Sequence, residues 1–167
     1  SGVRIVIINN KEKLIYSDSQ KYSTGLEFSE DWESCIRSLI QNIPKELKKT
    51  IFSLAVDGTS GTLVACEYDG NTLGSAIPYY VNCEEQKKNL DIILENNNIA
   101  GSLNNSLAKA LRLSQIYGDK ILLRHQADWI YGLFLNDWKF GEEGKNIRLG
   151  WDLLNERWPP SFGNLLW

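Results

Sequence analysis

A cluster of small polar residues at positions 57–61 has the residue types that bind oxygen-rich ligands. The cluster consists of Asp57, Gly58, Thr59, Ser60 and Gly61. It follows an apolar run, residues 51–56, that is typical of a strand buried on both faces. Ligands of open α/β sheets gather at the carboxyl ends of strands, so exposed N–H groups and hydroxyls here could meet a polyhydroxylated or phosphorylated molecule. The alternative is an ordinary hairpin whose side chains cap their own backbone.

Beyond this cluster, few residues could carry out catalysis. His125 is the single histidine, so we expect no histidine-rich metal site and no Ser-His-Asp device. It is either a ligand contact or, as we favour, a histidine whose hydrogen bonds are satisfied at a helix entrance. The three cysteines are Cys35, Cys66 and Cys83. Their odd number and wide spacing indicate reduced thiols in a cytoplasmic protein, and none is expected to be catalytic.

The composition limits the partners that the protein can have. A chain of 167 residues with 43% hydrophobic residues can form one domain with a sizeable core. Its formal net charge of −3 argues against binding nucleic acid through a basic face. No apolar run reaches the roughly 20 residues that span a bilayer, and no signal peptide is visible. We predict a cytoplasmic protein that binds neither nucleic acid nor membrane.

The first residues of the sequence suggest a larger parent protein. The chain contains no methionine, and it passes from Ser1 and Gly2 directly into an apolar strand that starts at Val3. A strand so close to the first residue leaves no room for whatever preceded it. We therefore expect the chain to be a fragment.

Alternating strands and helices are predicted to position the polar cluster. Residues 3–8 and 13–17 form a hairpin, and residues 29–43 form a helix with Ser29 as its N-cap. Residues 51–56 add a strand to one mixed central sheet with helices on its faces, the α/β class. The apolar stripe of the helix contains Trp32, Cys35, Ile36, Leu39, Ile40 and Ile43.

The second half of the chain continues the alternation. Pro78 makes residues 76–81 an edge strand or an extended segment that enters a site. We predict helices over residues 83–96, 106–117 and 125–135, the second capped by Asn104 or Asn105, and a short strand over residues 121–123. The third helix is expected to turn Ala127, Ile130, Tyr131 and Phe134 inward. Five of the six tryptophans fall at or after Trp129; they form either core or a platform for sugar faces.

Several short segments together resemble the FGGY family of carbohydrate kinases over nearly the whole chain. Residues 1–4 resemble the end of its Gly-Thr-Ser-Gly-x-Arg phosphate loop, and residues 56–62 resemble the segment used against the sugar. Residues 70–77 and 105–111 are similar to its G-x-x-L-x-x-A-I stretch and its Ser-x-x-x-Lys-Leu-Leu helix start. Residues 125–133 and 146–152 are similar to members labelled ribulokinase-like or xylulokinase-like.

The resemblance implies an actin-like, ribonuclease-H-like fold in two domains, with ATP and sugar in the cleft between them. It implies that residues 1–167 are the N-terminal sugar-binding domain, truncated at both ends. The general base and the C-terminal ATP-binding domain would follow Trp167. The implied reaction is transfer of phosphate from ATP, with Mg²⁺, to a ketopentose such as D-ribulose or D-xylulose. The sugar and the C-terminal kinase domain are then the partners, and a homodimer is kept as a hypothesis.

The site residues that the resemblance implies fall into two groups. The phosphate-side loop would contain Ser1, Gly2 and Arg4. The substrate-binding residues would be Asp57, Gly58, Thr59, Ser60, Gly61 and Tyr79, with Ser60 as the sugar contact. The sequence departs from the family at Tyr80 and Val81, where an Asn-Asp pair is common, and Asn82 is an uncertain substitute. The identity of the sugar therefore stays open.

Two other classes of function fit the same scaffold. One is a non-catalytic actin-like assembly or interaction module, which would expose apolar patches on opposite faces. The other is a sugar-binding regulator that has lost its base. A kinase is expected instead to have a polar cleft beside Ser60.

Overall fold

The computed structural model describes residues 1–94 and 98–162. The chain forms two compact units, Ser1–Ala55 and Val56–Trp167. Within the described residues the strands form two separate two-stranded sheets, one in each unit. The α/β class predicted from the sequence is confirmed, whereas one mixed central sheet is not observed.

The first unit is a hairpin covered by a helix. Strand β1 (Gly2–Ile8) pairs antiparallel with β2 (Leu14–Lys21), so the predicted hairpin is confirmed. Helix α1 (Ser29–Asn42) packs against both strands, and the short helix α2 (Lys45–Lys48) follows it. The predicted stripe of α1 is buried except at Ile40, which is half-buried.

The start of α1 differs from the prediction. Ser29 is the first helical residue rather than the N-cap, and the residue at the cap position, Phe28, contributes no side-chain hydrogen bond. Asp31 instead fixes the entry of the chain, because its Oδ2 accepts hydrogen bonds from the N–H of Thr24 at 2.6 Å and of Gly25 at 3.1 Å. These bonds hold the pKa of Asp31 below its usual value.

The strand predicted over residues 51–56 is wrong. These residues form no strand, and Ile51, Phe52 and Leu54 are exposed, with Phe52 96% exposed. A strand requires a neighbour that accepts and donates its backbone hydrogen bonds. The segment crosses from one unit to the next, and no described strand pairs with it. Apolar composition alone therefore did not specify a strand.

The second unit is built around a short central pair of strands. Strand β3 (Leu63–Cys66) pairs antiparallel with β4 (Leu122–His125), and both are largely buried. Ile77 adds a bridge to Leu63, so the segment around Pro78 is extended, as predicted. Residues 68–71 form a turn, which the Glu67 N–H closes by donating to the carbonyl of Asn71 at 2.8 Å.

Four helices and several single turns surround this pair of strands. The helices are α3 (Lys87–Ile93), α4 (Ser106–Tyr117), α5 (Gln126–Leu135) and α6 (Glu143–Asn146). The 3₁₀ turns are Glu84–Gln86, Ile99–Gly101, Ile147–Leu149 and Pro160–Phe162. The predicted helix of residues 83–96 is confirmed over Lys87–Ile93, after the 3₁₀ turn at Glu84–Gln86. Leu94 is extended, so the helix ends before the predicted Asn96, which itself lies outside the described residues. Helix α4 packs on the strands with one side and on α3 with the other.

The tryptophans around α5 belong to the core. Trp129 and Trp138 are buried, and the Trp138 Nε1 donates to the carbonyl of Trp129 at 3.0 Å. Gly70 and Gly132 leave the space that the Trp138 ring occupies, since a Cβ on either glycine would lie 2.3 Å from a ring atom. The predicted inward face of α5 is partly wrong: Tyr131 and Phe134 are 40% and 41% exposed.

Each helix of the described ranges is too short or too polar to cross a lipid bilayer.

Candidate functional site

The turn at residues 57–61 is held mainly by hydrogen bonds to a residue that is remote in the sequence. The Thr59 N–H donates to Gln126 Oε1 at 2.9 Å, and the Thr59 hydroxyl lies 2.6 Å from the same oxygen. Gln126 is the first residue of α5. Only Asp57 caps locally, accepting from the N–H of Gly58 at 2.8 Å. The alternative of a hairpin that caps itself therefore explains only the first residue of the turn.

Thr62 joins this turn to two other segments. It is fully buried, and its Oγ1 lies 2.7 Å from the hydroxyl of Thr59 and accepts from the N–H of Tyr79 at 3.2 Å. Its carbonyl accepts from the N–H of Gln126 at 3.1 Å. The turn, the segment at Tyr79 and the start of α5 thus form one hydrogen-bonded assembly.

A buried lysine completes this assembly. Lys109 of α4 has no exposed surface, and its Nζ donates to the carbonyls of Gly61 at 2.8 Å, of Tyr79 at 3.3 Å and of Asn104. Burial, together with the nearby charge of Arg148, lowers the pKa of Lys109 to about 8. The amine is therefore still mostly protonated at neutral pH, and it uses its three N–H groups on three carbonyls.

Of the residues predicted to bind substrate, Asp57, Ser60 and Tyr79 are exposed, Gly58 and Thr59 are half-buried, and Gly61 is buried. Ser60 is exposed, and its hydroxyl bonds to none of the described residues. Gly61 has φ +88°, a backbone conformation that other residues rarely adopt. Tyr79 is 48% exposed and meets Tyr80 edge to face, with ring centroids 5.2 Å apart. The structure thus brings the predicted turn and Tyr79 together.

An arginine that sequence reasoning missed lies beside the turn. A Cβ built on Gly61 would be 3.8 Å from Cδ and Nη1 of Arg148. Nη1 donates to Asn105 Oδ1 at 2.9 Å, and Asn105 is buried. Asn105 occupies the N-cap position of α4, as predicted, but its side chain does not cap the helix. Its Nδ2 donates instead to the carbonyl of Ile99 at 2.6 Å.

His125 lies at the end of β4, opposite Leu63. It is 2% exposed, and neither ring nitrogen has a hydrogen-bond partner among the described residues. The predicted satisfied histidine is therefore wrong. Burial, and then the charges of Lys145 and Arg148, lower its pKa to about 4, so the ring is neutral at physiological pH.

A cavity of about 270 Å³ opens near the start of the turn. It is lined by Val56, Ala127, Asp128, Tyr131, Phe140, Gly141, Glu142 and Lys145. Asp128 is buried there, and its Oδ1 accepts from the N–H of Glu142 at 3.1 Å. Burial raises the pKa of this carboxyl. Among residues 1–94 and 98–162, no group of three acids, histidines or cysteines could hold a metal ion.

The predicted phosphate-side residues belong to the first unit. Gly2 and Arg4 lie in β1, paired with Lys21 and Ser19 of β2, and the Ser1 carbonyl accepts from the N–H of Tyr22 at 3.2 Å. A Cβ on Gly2 would lie 2.3 Å from the carbonyl oxygen of Gln20, so this glycine permits the close approach of β2. Arg4 is exposed.

Comparison with known proteins relates the fold to a kinase. No protein-family model matches the sequence. The crystal structure of Plasmodium falciparum glycerol kinase with ADP is similar to this chain, with a TM-score of 0.72 and 14% sequence identity. The match covers 98% of this chain and 38% of that structure, so the chain spans little more than a third of its length. This likeness shows that the chain shares the fold of the corresponding part of that kinase.

Proposed function

We propose that the chain is the sugar-side part of a carbohydrate kinase that transfers phosphate from ATP to a hydroxyl of a sugar. The acceptor class we propose is a ketopentose such as D-ribulose or D-xylulose. The fold shared with a glycerol kinase supports a kinase that acts on a polyol-like substrate. The observation that carries the proposal is the turn that presents Ser60, because Lys109 and Gln126 fix the backbone of this turn while Asp57 and Ser60 stay exposed.

The residues of this chain would position the acceptor rather than react with it. Phosphoryl transfer requires an acceptor hydroxyl aligned with the γ-phosphate, charge neutralisation, and a carboxylate that takes the proton. The Ser60 hydroxyl and the neighbouring N–H groups would bind acceptor hydroxyls, and Tyr79 would cover a face of the sugar. Arg4 and the backbone at Ser1 and Gly2 would face phosphate.

We assign the remaining chemistry to a C-terminal kinase domain. ATP supplies the phosphoryl group, and Mg²⁺ neutralises its developing charge. The described residues offer a cation, Arg4, for phosphate but no cluster of acids for Mg²⁺. We therefore place the general base, the adenosine site and the ligands of the ion after Trp167. The sugar-binding regulator would lack that base, whereas the actin-like interaction module would expose apolar patches on opposite faces.

The direct test is an ADP-coupled assay of the full-length protein with Mg²⁺ and D-ribulose, D-xylulose or glycerol. Ser60→Ala is expected to lower kcat/KM by a factor equivalent to about 1–3 kcal/mol of transition-state stabilisation, which is the cost of one unpaired polar partner. Ser75→Ala, at another exposed serine of the same unit, is the matched control. Unchanged kinetics in a folded Ser60→Ala protein would make the turn merely structural. Turnover by residues 1–167 alone would place the base in this chain, with Asp57 as the first candidate.

A further inference from the structure

Arg148 is held in place by a neutral, buried partner. Its guanidinium donates to Asn105 Oδ1, and the other end of the Asn105 amide is fixed to the carbonyl of Ile99. An exposed arginine normally samples many rotamers, and binding a ligand then costs the entropy of ordering it. Here the Asn105 amide has already restricted the side chain. The guanidinium is therefore preorganised beside Gly61.

The charge of Arg148 is also left available. Two other arginines are bound by acids, Arg37 by Glu33 and Arg112 by Glu85. Arg148 has no acidic partner within 4.0 Å among the described residues, and a guanidinium has five N–H donors. Asn105 accepts from only one of its nitrogens. The remaining donors are available to a ligand.

The surroundings of the guanidinium favour an electron-rich ligand. Lys109 brings a second positive charge under the same turn, and its partners are carbonyls rather than carboxylates. The charge of Arg148 is felt at both Lys109 and His125, whose pKa values it helps to lower. Neither cation has a carboxylate partner within 4.0 Å among the described residues, so an electron-rich ligand would meet positive charge on the side of Arg148, while the Asp57 carboxylate lies at the other end of the turn.

We propose that Arg148 is a specificity-determining residue that binds a carbonyl or carboxylate oxygen of the acceptor. This inference rests on the proposed function and extends it. A planar guanidinium matches an sp² oxygen and an adjacent hydroxyl better than it matches a chain of hydroxyls alone. The site would therefore select ketoses, or the corresponding sugar acids, over polyols, which have hydroxyl groups but no sp² oxygen.

The test compares three acceptors in the full-length protein: D-ribulose, ribitol and D-ribonate. Ribitol differs from D-ribulose by reduction of the C2 carbonyl, and D-ribonate carries a hydroxyl at C2 and a carboxylate at C1. Arg148→Gln is expected to raise KM for the preferred acceptor about 10-fold or more, with little change for ribitol. Arg148→Lys should recover part of the loss, since it restores charge but not the planar fork. Arg157→Gln, at another exposed arginine of this unit, is the control.

The outcomes separate this inference from the proposed function. Preference for D-ribulose or for D-ribonate that Arg148→Gln abolishes supports the inference and identifies which oxygen is bound. Equal losses on all three acceptors, or no loss at all, in a folded variant would overturn it while leaving the kinase intact. Binding of the acceptors without ATP, measured by calorimetry, should show the same ranking. A wild-type protein that phosphorylates none of these acceptors, nor D-xylulose or glycerol, refutes the proposed function itself.

Discussion

The ammonium group of Lys109 lies 2.8 Å from the carbonyl oxygen of Gly61, so a charged group of the core holds the backbone that precedes β3. Lys109→Met keeps most of the apolar stem but leaves three carbonyls without a donor. We expect the free energy of unfolding to fall by about 2 kcal/mol, because the loss of three hydrogen bonds outweighs the gain from no longer burying a charge. Urea titration measures it, with exposed Lys120→Met as the control. Equal stability of the two variants would contradict the role of Lys109.

The buried ring of His125 should make the free energy of unfolding depend on pH. Its pKa is lowered from 6.5 to about 4 in the folded protein, so between these values the unfolded chain binds a proton that the folded chain does not. Stability therefore falls as the pH drops from 6.5 to 4, by about 3 kcal/mol for this group. His125→Phe should remove this part of the dependence. Parallel stability curves for wild type and variant over that window would refute the prediction.

The packing of the Trp138 ring requires a residue without a side chain at Gly132. An alanine Cβ there would lie 2.3 Å from Cδ1 of the indole ring, which must then move. We expect Gly132→Ala to destabilise the protein by about 1–3 kcal/mol despite the better helix propensity of alanine, and to shift the tryptophan fluorescence. Gly101→Ala is the control, because among the described residues its Cβ would meet only Leu94 Cδ1, at the ordinary contact distance of 3.6 Å. Similar stabilities would show that the ring has room.

The reactivity of the three buried thiols can report the order in which the two units unfold. Cys35 belongs to the first unit, and Cys66 and Cys83 belong to the second; all three are buried, and burial raises their pKa values. We expect no alkylation in the native protein. With rising urea, Cys35 should react first, because its unit is the smaller and buries less surface. Mass spectrometry of pulse-alkylated protein gives the order, and simultaneous labelling would contradict it.

Local patterns explain what the sequence predicted well. The β1–β2 hairpin and α1 follow from apolar alternation, a short turn and a helical stripe, all of which are encoded within a few residues. The strand at residues 51–56 failed because pairing depends on a neighbour, and an apolar run does not say where that neighbour is. Asp31, in the first turn of α1, replaced the predicted cap at Ser29 for a similar reason: its partners lie in the preceding loop.

The site was predicted only in part, because the residues that shape it are far apart in the sequence. The turn was identified from its residue types, but the side chains that shape it were not. Lys109 contacts a carbonyl 48 residues away, and Arg148 contacts an amide 43 residues away. A lysine on the buried side of α4 was the one available signal, since such a lysine must find acceptors. Arg148 lies within the segment 146–152 that resembles the kinase family, but no pattern in that segment assigned it a role.

The bond between Thr59 and Gln126 also has a consequence for biosynthesis, because its two ends are 67 residues apart. At a translation rate of about 5–20 residues per second, Gln126 is made roughly 3 to 13 seconds after Thr59. During that interval the hairpin of the first unit can already form from local contacts, whereas the turn lacks the amide that orients it. A nascent chain that has not yet reached α5 should therefore hold the turn without its final orientation, even with every residue of the turn already synthesised.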